Sequence, residues 1–298
     1  MKLLFIILFS LGCSLSSISQ LSDIDSLLST SETRQKLYTT NAFKSPRVIN
    51  SHSIEFLPKG TLDFRILHRF GSLKDGVSNF FGLDQASMRM SFDYGITNNI
   101  TVGVGRSTYK KELDGFIKYG LLRQRDDVQN RKFSVVLVSG LTVNTLPWAD
   151  PTKQNYSTSR IAYYHQIIVG RKFNRHLTLQ VAPTLVHTNL VDYSYMKNDQ
   201  LSIQFGGRYK FSNRVAFMID YSYVLVDKQL YGIKDPLSIG FDIETGGHIF
   251  QLHFSNSLGM NERAFLTETK QSWGKGEIQF GFNLSRVFQI KKNKQLHY

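Results

Sequence analysis

Two side chains near the end of the chain have the spacing of a nucleophile and its base. His253 and Ser255 stand two apart. On a strand that spacing puts both on one face, where an imidazole could take the proton of an attacking hydroxyl. Phe250, Leu252 and Phe254 hold the alternate positions, so the apolar side faces outward and His253 and Ser255 face the other way. An acyl chain would lie on the apolar side, and the sequence offers no third group to orient the imidazole. Hydrolysis of lipid or envelope material therefore stands only as an alternative, and no catalytic residue is assigned.

A second set of reactive side chains is more widely spread. Asp63, Arg65, Arg69, Arg89, Asp93, Arg208, Asp220, His253 and Glu277, with Lys210 and Asp242, fall on the polar side of alternating segments. If those segments close into a barrel, these residues line its lumen. Mixed charges in a lumen either pair into a network that fills it or border a wet path for a small polar solute. Twelve strands enclose a modest interior, which favours the filled or narrow case. The eight histidines are scattered, with no pair at ligand spacing and no cysteine beside them, so no metal site is expected. No phosphate loop or dinucleotide fingerprint is present, and no cofactor is expected.

The elements that must carry these residues are strands. Leu62, Phe64, Ile66, His68 and Phe70 alternate with Asp63, Arg65, Leu67 and Arg69. The same period of two runs through residues 87–94, 201–209, 215–223 and 277–284, and a period of two is the signature of a strand with one apolar face. Twelve strands are expected, at 61–70, 85–95, 100–108, 114–124, 132–142, 160–172, 177–188, 198–211, 214–224, 237–244, 248–256 and 277–288. The fold class that follows is all-β: an antiparallel transmembrane β-barrel of about 12 strands behind a short irregular N-terminal lead-in. Connections after even-numbered strands are short and most others are long, as in outer-membrane barrels with tight periplasmic turns and longer outer loops. The turns YGITNNI (94–100), FNRHL (173–177) and FSNRV (211–215) each run from an aromatic through Asn to an aliphatic. Asn tolerates the left-handed backbone of a tight hairpin, and the aromatic suits a membrane interface. Pro183 falls inside the seventh strand, so a bulge or a misplaced boundary is expected there.

The chain therefore divides into four parts. Residues 1–19 read as a cleaved secretory signal: Lys2, an apolar run over 3–11, and the small residues Ser17 and Ser19 ahead of Gln20. Gly12-Cys13 leaves lipidation at Cys13 open, although Ser10 stands where a leucine is usual. Residues 20–59 read as a periplasmic lead-in or partial plug, with a short amphipathic helix over 21–28. Residues 60–290 are the barrel, and 291–298 a basic C-terminal tail. No apolar run reaches the length of a helical span.

The net charge of +13 raises nucleic-acid binding, but its placement argues otherwise. Arg123, Arg125, Arg131, Lys132, Arg171, Lys172, Arg175, Lys210 and Arg214 gather on the turn side with the tail lysines. A basic rim at one membrane face fits lipid headgroups, and no nucleic-acid motif accompanies it.

The segments RVINSHSIE (47–55), LPKG (57–60), LDFR (62–65), HRFG (68–71), FGLD (81–84), DYGITNN (93–99), VGVGR (102–106), DGFIKY (114–119) and LRQ (122–124) resemble an uncharacterised outer-membrane β-barrel family of Bacteroidota. The resemblance runs over about 47–288. It implies a barrel in the cell outer membrane and no activity. The expected function is a narrow porin-like channel or a structural envelope component. Its partners would be outer-membrane lipids and a small polar solute or a periplasmic protein docked on the basic rim, with no nucleic acid.

Overall fold

A computed structural model describes residues 38–126, 130–191 and 193–291. The expected signal segment, Cys13, the lead-in up to residue 37 and the tail beyond residue 291 lie outside the described residues. The protein is a closed antiparallel barrel of twelve strands. They are β1 (Thr61–Ser72), β2 (Ala86–Thr97), β3 (Ile100–Ser107), β4 (Glu112–Leu122), β5 (Ser134–Asn144), β6 (Ile161–Lys172), β7 (Leu177–Thr188), β8 (Asp199–Lys210), β9 (Val215–Val224), β10 (Leu237–Thr245), β11 (His248–Ser255) and β12 (Gln279–Gln289). Among the described residues two short α-helices sit in long connections, α1 (Lys228–Tyr231) and α2 (Glu262–Glu268). Each strand pairs with its neighbours in sequence, and β1 closes on β12 with Thr61 opposite Gln289. Closure removes the free edges that an open sheet would expose to lipid.

The alternation in sequence becomes an inside and an outside. Along β1 every second residue from Thr61 is buried and its neighbours are only partly so. Outward positions carry Phe92, Val104, Ile117, Leu141, Ile167, Leu179, Leu201, Phe205, Phe241 and Leu252, all exposed. That is an apolar band around the barrel, as a lipid-facing wall requires. At the turn end Tyr119, Phe133, Phe173, Tyr209 and Phe211 are also exposed. Arg171 lies over the Phe133 and Phe173 rings, at 5.5 and 4.9 Å.

Three sequence expectations change. Pro183 needs neither a bulge nor a new boundary. It sits in β7 opposite Ile203 of β8, while the ladder to β6 breaks off after Thr184 and resumes at Val181 in the same register. The missing proline N–H thus costs a gap in one ladder and no slip. The connection from β4 to β5 is longer than expected, because β4 ends at Leu122 and β5 starts at Ser134. Its first residues leave the wall: Tyr38 bridges Arg125, and Thr39 N–H donates to the Gln124 carbonyl. Glu277 does not line the lumen. It keeps the right parity, but β12 begins only at Gln279, and Glu277 stays in the preceding loop paired with Lys74 at 3.0 Å.

The barrel is filled. Residues 39–60 form a strap that enters at the turn end, reaches the middle and returns to start β1. Ala42, Phe43, Val48, Ile49, Ile54 and Leu57 of the strap are buried. From the opposite end the β11–β12 connection folds inward and carries α2, whose Glu262, Ala264, Phe265 and Leu266 are buried. Two inward glycines make room for the strap. A Cβ on Gly170 would stand 2.8 Å from Ile54 Cγ2, and one on Gly206 2.9 Å from Val48 Cγ2.

Candidate functional site: the closed lumen

The two inserted segments meet at mid-barrel. Arg47 of the strap donates to Glu262 Oε1 of α2 at 2.8 Å and to the Asn50 carbonyl at 2.7 Å. His52 Nε2 lies 3.2 Å from the same Glu262 oxygen and 3.1 Å from the Tyr164 hydroxyl. Arg47, His52 and Glu262 are all at most 1% exposed. A buried ion pair needs its remaining polar atoms satisfied to be tolerated; here the strap's own Asn50 carbonyl and the wall's Tyr164 hydroxyl supply part of that, while Arg47 Nε and His52 Nδ1 have no hydrogen-bond partner.

Asp220 on β9 accepts from the backbone N–H of Ile49, Asn50 and Ser51 at 3.2, 2.7 and 2.9 Å, and from the Ser51 hydroxyl at 2.9 Å. Successive backbone N–H groups turned toward one carboxylate make an anion cradle, so Asp220 fixes the strap tip. Arg69 on β1 joins wall, strap and loop. It donates to His253 at 2.8 Å, to Asn50 Oδ1 at 2.6 Å and to the Ser257 carbonyl at 3.1 Å. Gln180 bonds the strap twice, accepting from Ile54 N–H at 3.0 Å and donating to the His52 carbonyl at 2.7 Å. Gln251 and Asn283 donate to the carbonyls of Val48 and Ile49 at 2.6 and 3.2 Å. Having no sheet ladder of its own here, the strap finds its backbone partners in wall side chains.

The sequence-predicted lumen residues fall into groups. Asp63 pairs with Arg65 at 2.7 Å and accepts from Ser285 at 2.6 Å. Arg89 holds Asp114 through two donors. Asp93, opposite Asp63 in the β1–β2 ladder, is buried with neither oxygen hydrogen-bonded. Arg69, Asp220 and His253 bind the inserted segments as described. Arg208, buried near the turn end, reaches the Ala42 carbonyl at 3.5 Å.

Sequence reasoning missed the other half of this site. Arg47, His52 and Glu262 lie in segments without strand periodicity, and their partners are far away in the chain. The capping residue of α2 was a usable signal. Asn261 Oδ1 accepts from Ala264 N–H at 2.9 Å, and its amide donates to Glu112 at 2.8 Å, as an N-cap in a long loop would. On the other side of the interior Phe265 and Leu266 join strap residues Phe43, Val48, Ile49 and Ile54 and wall residues Val136, Val138, Ile168, Ala182, Val186 and Met218 in one apolar cluster.

Electrostatics follow burial. Burial pushes the His52 pKa well below its usual value, and Arg47 and Lys118 push the same way, so the imidazole is neutral despite Glu262 beside it. Burial raises Glu262 against the opposing pull of Arg47 and Arg89. Glu268 goes the other way: burial would raise it, but Arg263 and Lys110 outweigh burial and bring it down to about 2. Those two cations contact it at 2.5 and 2.6 Å. Above α2, at the loop end, a cavity of about 270 Å³ is lined by Tyr109, Lys110, Tyr193, Tyr231, Arg263 and Glu268 among others.

Neither Ser–His arrangement supports hydrolysis. Ser255 bonds Ser238 at 2.8 Å in the interior, and His253 is held by Arg69. A second pair, Ser139 and His165, is in contact at 2.9 Å on the outward face through Nδ1. It lies mid-strand opposite Ile117 and Leu185, where hydrocarbon rather than an ester group or water would meet it. Among the described residues no group of three or more His, Cys, Asp or Glu could hold a metal ion.

Comparison with known proteins gives a family and distant folds. The family described as membrane bound beta barrel domain (DUF5777) matches residues 43–288. No curated protein matches. Among solved structures, the NanC porin is 11% identical with a TM-score of 0.48, covering 78% of this chain and 100% of that one. The KdgM porin is 8% identical with a TM-score of 0.46, covering 76% and 99%. An outer membrane channel from Pseudomonas putida F1 is 12% identical with a TM-score of 0.45, covering 79% and 98%. Likenesses this distant carry no statement about what the present chain does.

Proposed function

The chain belongs to the membrane bound beta barrel domain family (DUF5777), and from that premise we propose that it is a porin-like barrel of the outer membrane whose lumen is held closed by two internal segments. The carrying observation is the meeting of strap and α2 at Arg47 and Glu262, buried at mid-barrel. A lumen packed side to side is no open pore, so passage of a small polar solute requires the strap or α2 to move. The loop-end cavity, with tyrosines, cations and Glu268 in its lining, is where such a solute would first be held. Delivery by a cleaved signal at 1–19 and an origin in the Bacteroidota complete this reading. The lipid belt and the turn-end Arg–aromatic contacts support a barrel seated in a bilayer.

The packed lumen equally suits a structural envelope component, and one experiment separates the two. In planar bilayers the wild-type chain is expected to be silent or to open rarely, and Glu262→Ala to open more often. A steady wide conductance in the wild type contradicts the closed-lumen reading. Silence of both the wild type and a variant lacking residues 258–271, folded by heat-dependent gel shift, favours the structural component.

A further inference from the structure

At the turn end, where the strap enters, a cavity of about 180 Å³ is lined by Asn41, Lys44, Lys172, Arg175, Arg208 and Lys210. Five of those six residues are cations. One of the five, Lys44, is in ion-pair contact with a carboxylate, Glu244 at 2.8 Å. Lys172 donates to the Thr40 carbonyl at 2.7 Å, and Lys210 to Asn213 Oδ1 at 3.2 Å. Arg175 donates to its neighbour His176 at 2.8 Å. None of these hydrogen-bond partners is a carboxylate, and Glu55 and Asp126 act on Lys172 only through space.

Arg208 is the informative member. It is 4% exposed, its Nε has no hydrogen-bond partner, and its contact with the Ala42 carbonyl is long at 3.5 Å. Asp242, Glu244 and Glu55 lie within its electrostatic reach, but each is engaged elsewhere. Asp242 accepts from Gln251 at 2.6 Å, Glu244 holds Lys44, and Glu55 accepts from Ala42 N–H at 2.9 Å. A buried guanidinium with an idle donor is costly unless something completes it.

We propose that this cavity is an anion site that takes a phosphate group, with Arg208 as the buried fork and Lys172, Lys210, Lys44 and Arg175 around it. A guanidinium fork matches the paired oxygens of phosphate, and ammonium groups add charge without fixed geometry. A phosphate group can accept from several of these donors at once, which a single carboxylate from the chain does not do here. The cavity opens at the end of the barrel whose outer rim carries Phe173 and Phe211, at the level of lipid headgroups. The phosphate can therefore come from a phospholipid or from a phosphorylated solute. The site stands whether or not the lumen ever opens.

The test uses the full chain in maltoside micelles, with two probes. Inorganic phosphate is titrated by calorimetry, and phosphatidylglycerol retention is read by native mass spectrometry. Binding is expected in at least one arm. Arg208→Gln should weaken it about ten-fold, the loss of one charge-assisted contact, and the double variant Lys172→Gln/Lys210→Gln at least as much. Lys153→Gln, the same charge loss in a distant loop, should change it by less than about two-fold. Saturation by inorganic phosphate assigns the site to a solute, and binding of phosphatidylglycerol alone assigns it to a headgroup. The proposal is overturned if neither probe binds, or if the cavity variants behave like Lys153→Gln. If Arg208→Gln fails to show the folded gel mobility, the double variant decides.

Discussion

The inner wall of this barrel has two unlike halves. Strands β1, β2 and β9–β12 turn Asp63, Arg65, Arg69, Arg89, Asp93, Asp220, Asp242 and His253 inward. Strands β5–β7 turn Val136, Val138, Tyr164, Ile168, Ala182 and Val186 inward, with a few Gln and Thr among them. The first half holds the inserted segments by directed bonds, as Asp220 holds three successive N–H groups. The second holds them chiefly by burying apolar surface against Phe265, Leu266 and the strap, with directed bonds to the strap from Gln180 and Tyr164. A water-filled lumen would have no use for apolar residues on both faces of β5–β7. The difference therefore says that the interior is packed, and it says which side of each inserted segment rests on which wall.

The largest effect expected from disturbing this arrangement is at the junction of the halves. Glu262→Ala strands Arg47 as a buried unpaired charge, and should cost about 3–5 kcal/mol in a urea unfolding midpoint. A cost comparable to that of a surface pair would show that water reaches Arg47 and that the polar half is wet. Next comes a pair of neighbours on β6. Ile168→Ala, inward, should cost about 2–5 kcal/mol. Ile167→Ala, outward, should cost about 1 kcal/mol or less, because lipid chains fill the space. Equal costs would erase the distinction between packed and lipid-facing sides.

The smallest effect is a pH dependence from His52, which sits between the halves with Arg47, Glu262, Lys118, Tyr164 and Phe116 around it. Its folded pKa is depressed below the ordinary 6.5, so below that value the unfolded chain binds more protons. Its contribution is thus complete above about pH 6.5 and is lost as pH falls toward the folded value, by up to about 1.4 kcal/mol per pH unit. Unfolding midpoints between pH 7.5 and about 5 should fall less steeply in His52→Gln than in the wild type. Parallel slopes would mean that the imidazole is solvated.

The polar half was legible in the sequence, and the apolar half was legible only as strands. Alternation in β1, β2, β8, β9 and β12 announces an inside and an outside. The runs Val135-Val136-Leu137-Val138 and Ile167-Ile168-Val169 do not alternate, and what they announce is a wall apolar on both faces. The partner for that second face was not readable. The strap is irregular, and its backbone bonds run to Asp220 and Gln180, far along the chain. Helix α2 has only seven residues, too few for a periodic signal. Glu277 shows the limit of parity alone: the alternation was right, but the strand starts two residues later.

The most direct test of the packed interior is chemical access to the apolar wall. In a Cys13→Ser background, which removes the one native cysteine of the sequence, Ala182→Cys places a thiol on the inward face of β7, where Ala182 is fully buried. A membrane-impermeant maleimide should leave it unlabelled in the folded barrel and label it after unfolding, while Ser157→Cys in the exposed β5–β6 connection labels at once. Labelling of the folded Ala182→Cys barrel at a rate approaching that of Ser157→Cys would contradict a lumen closed by strap and helix.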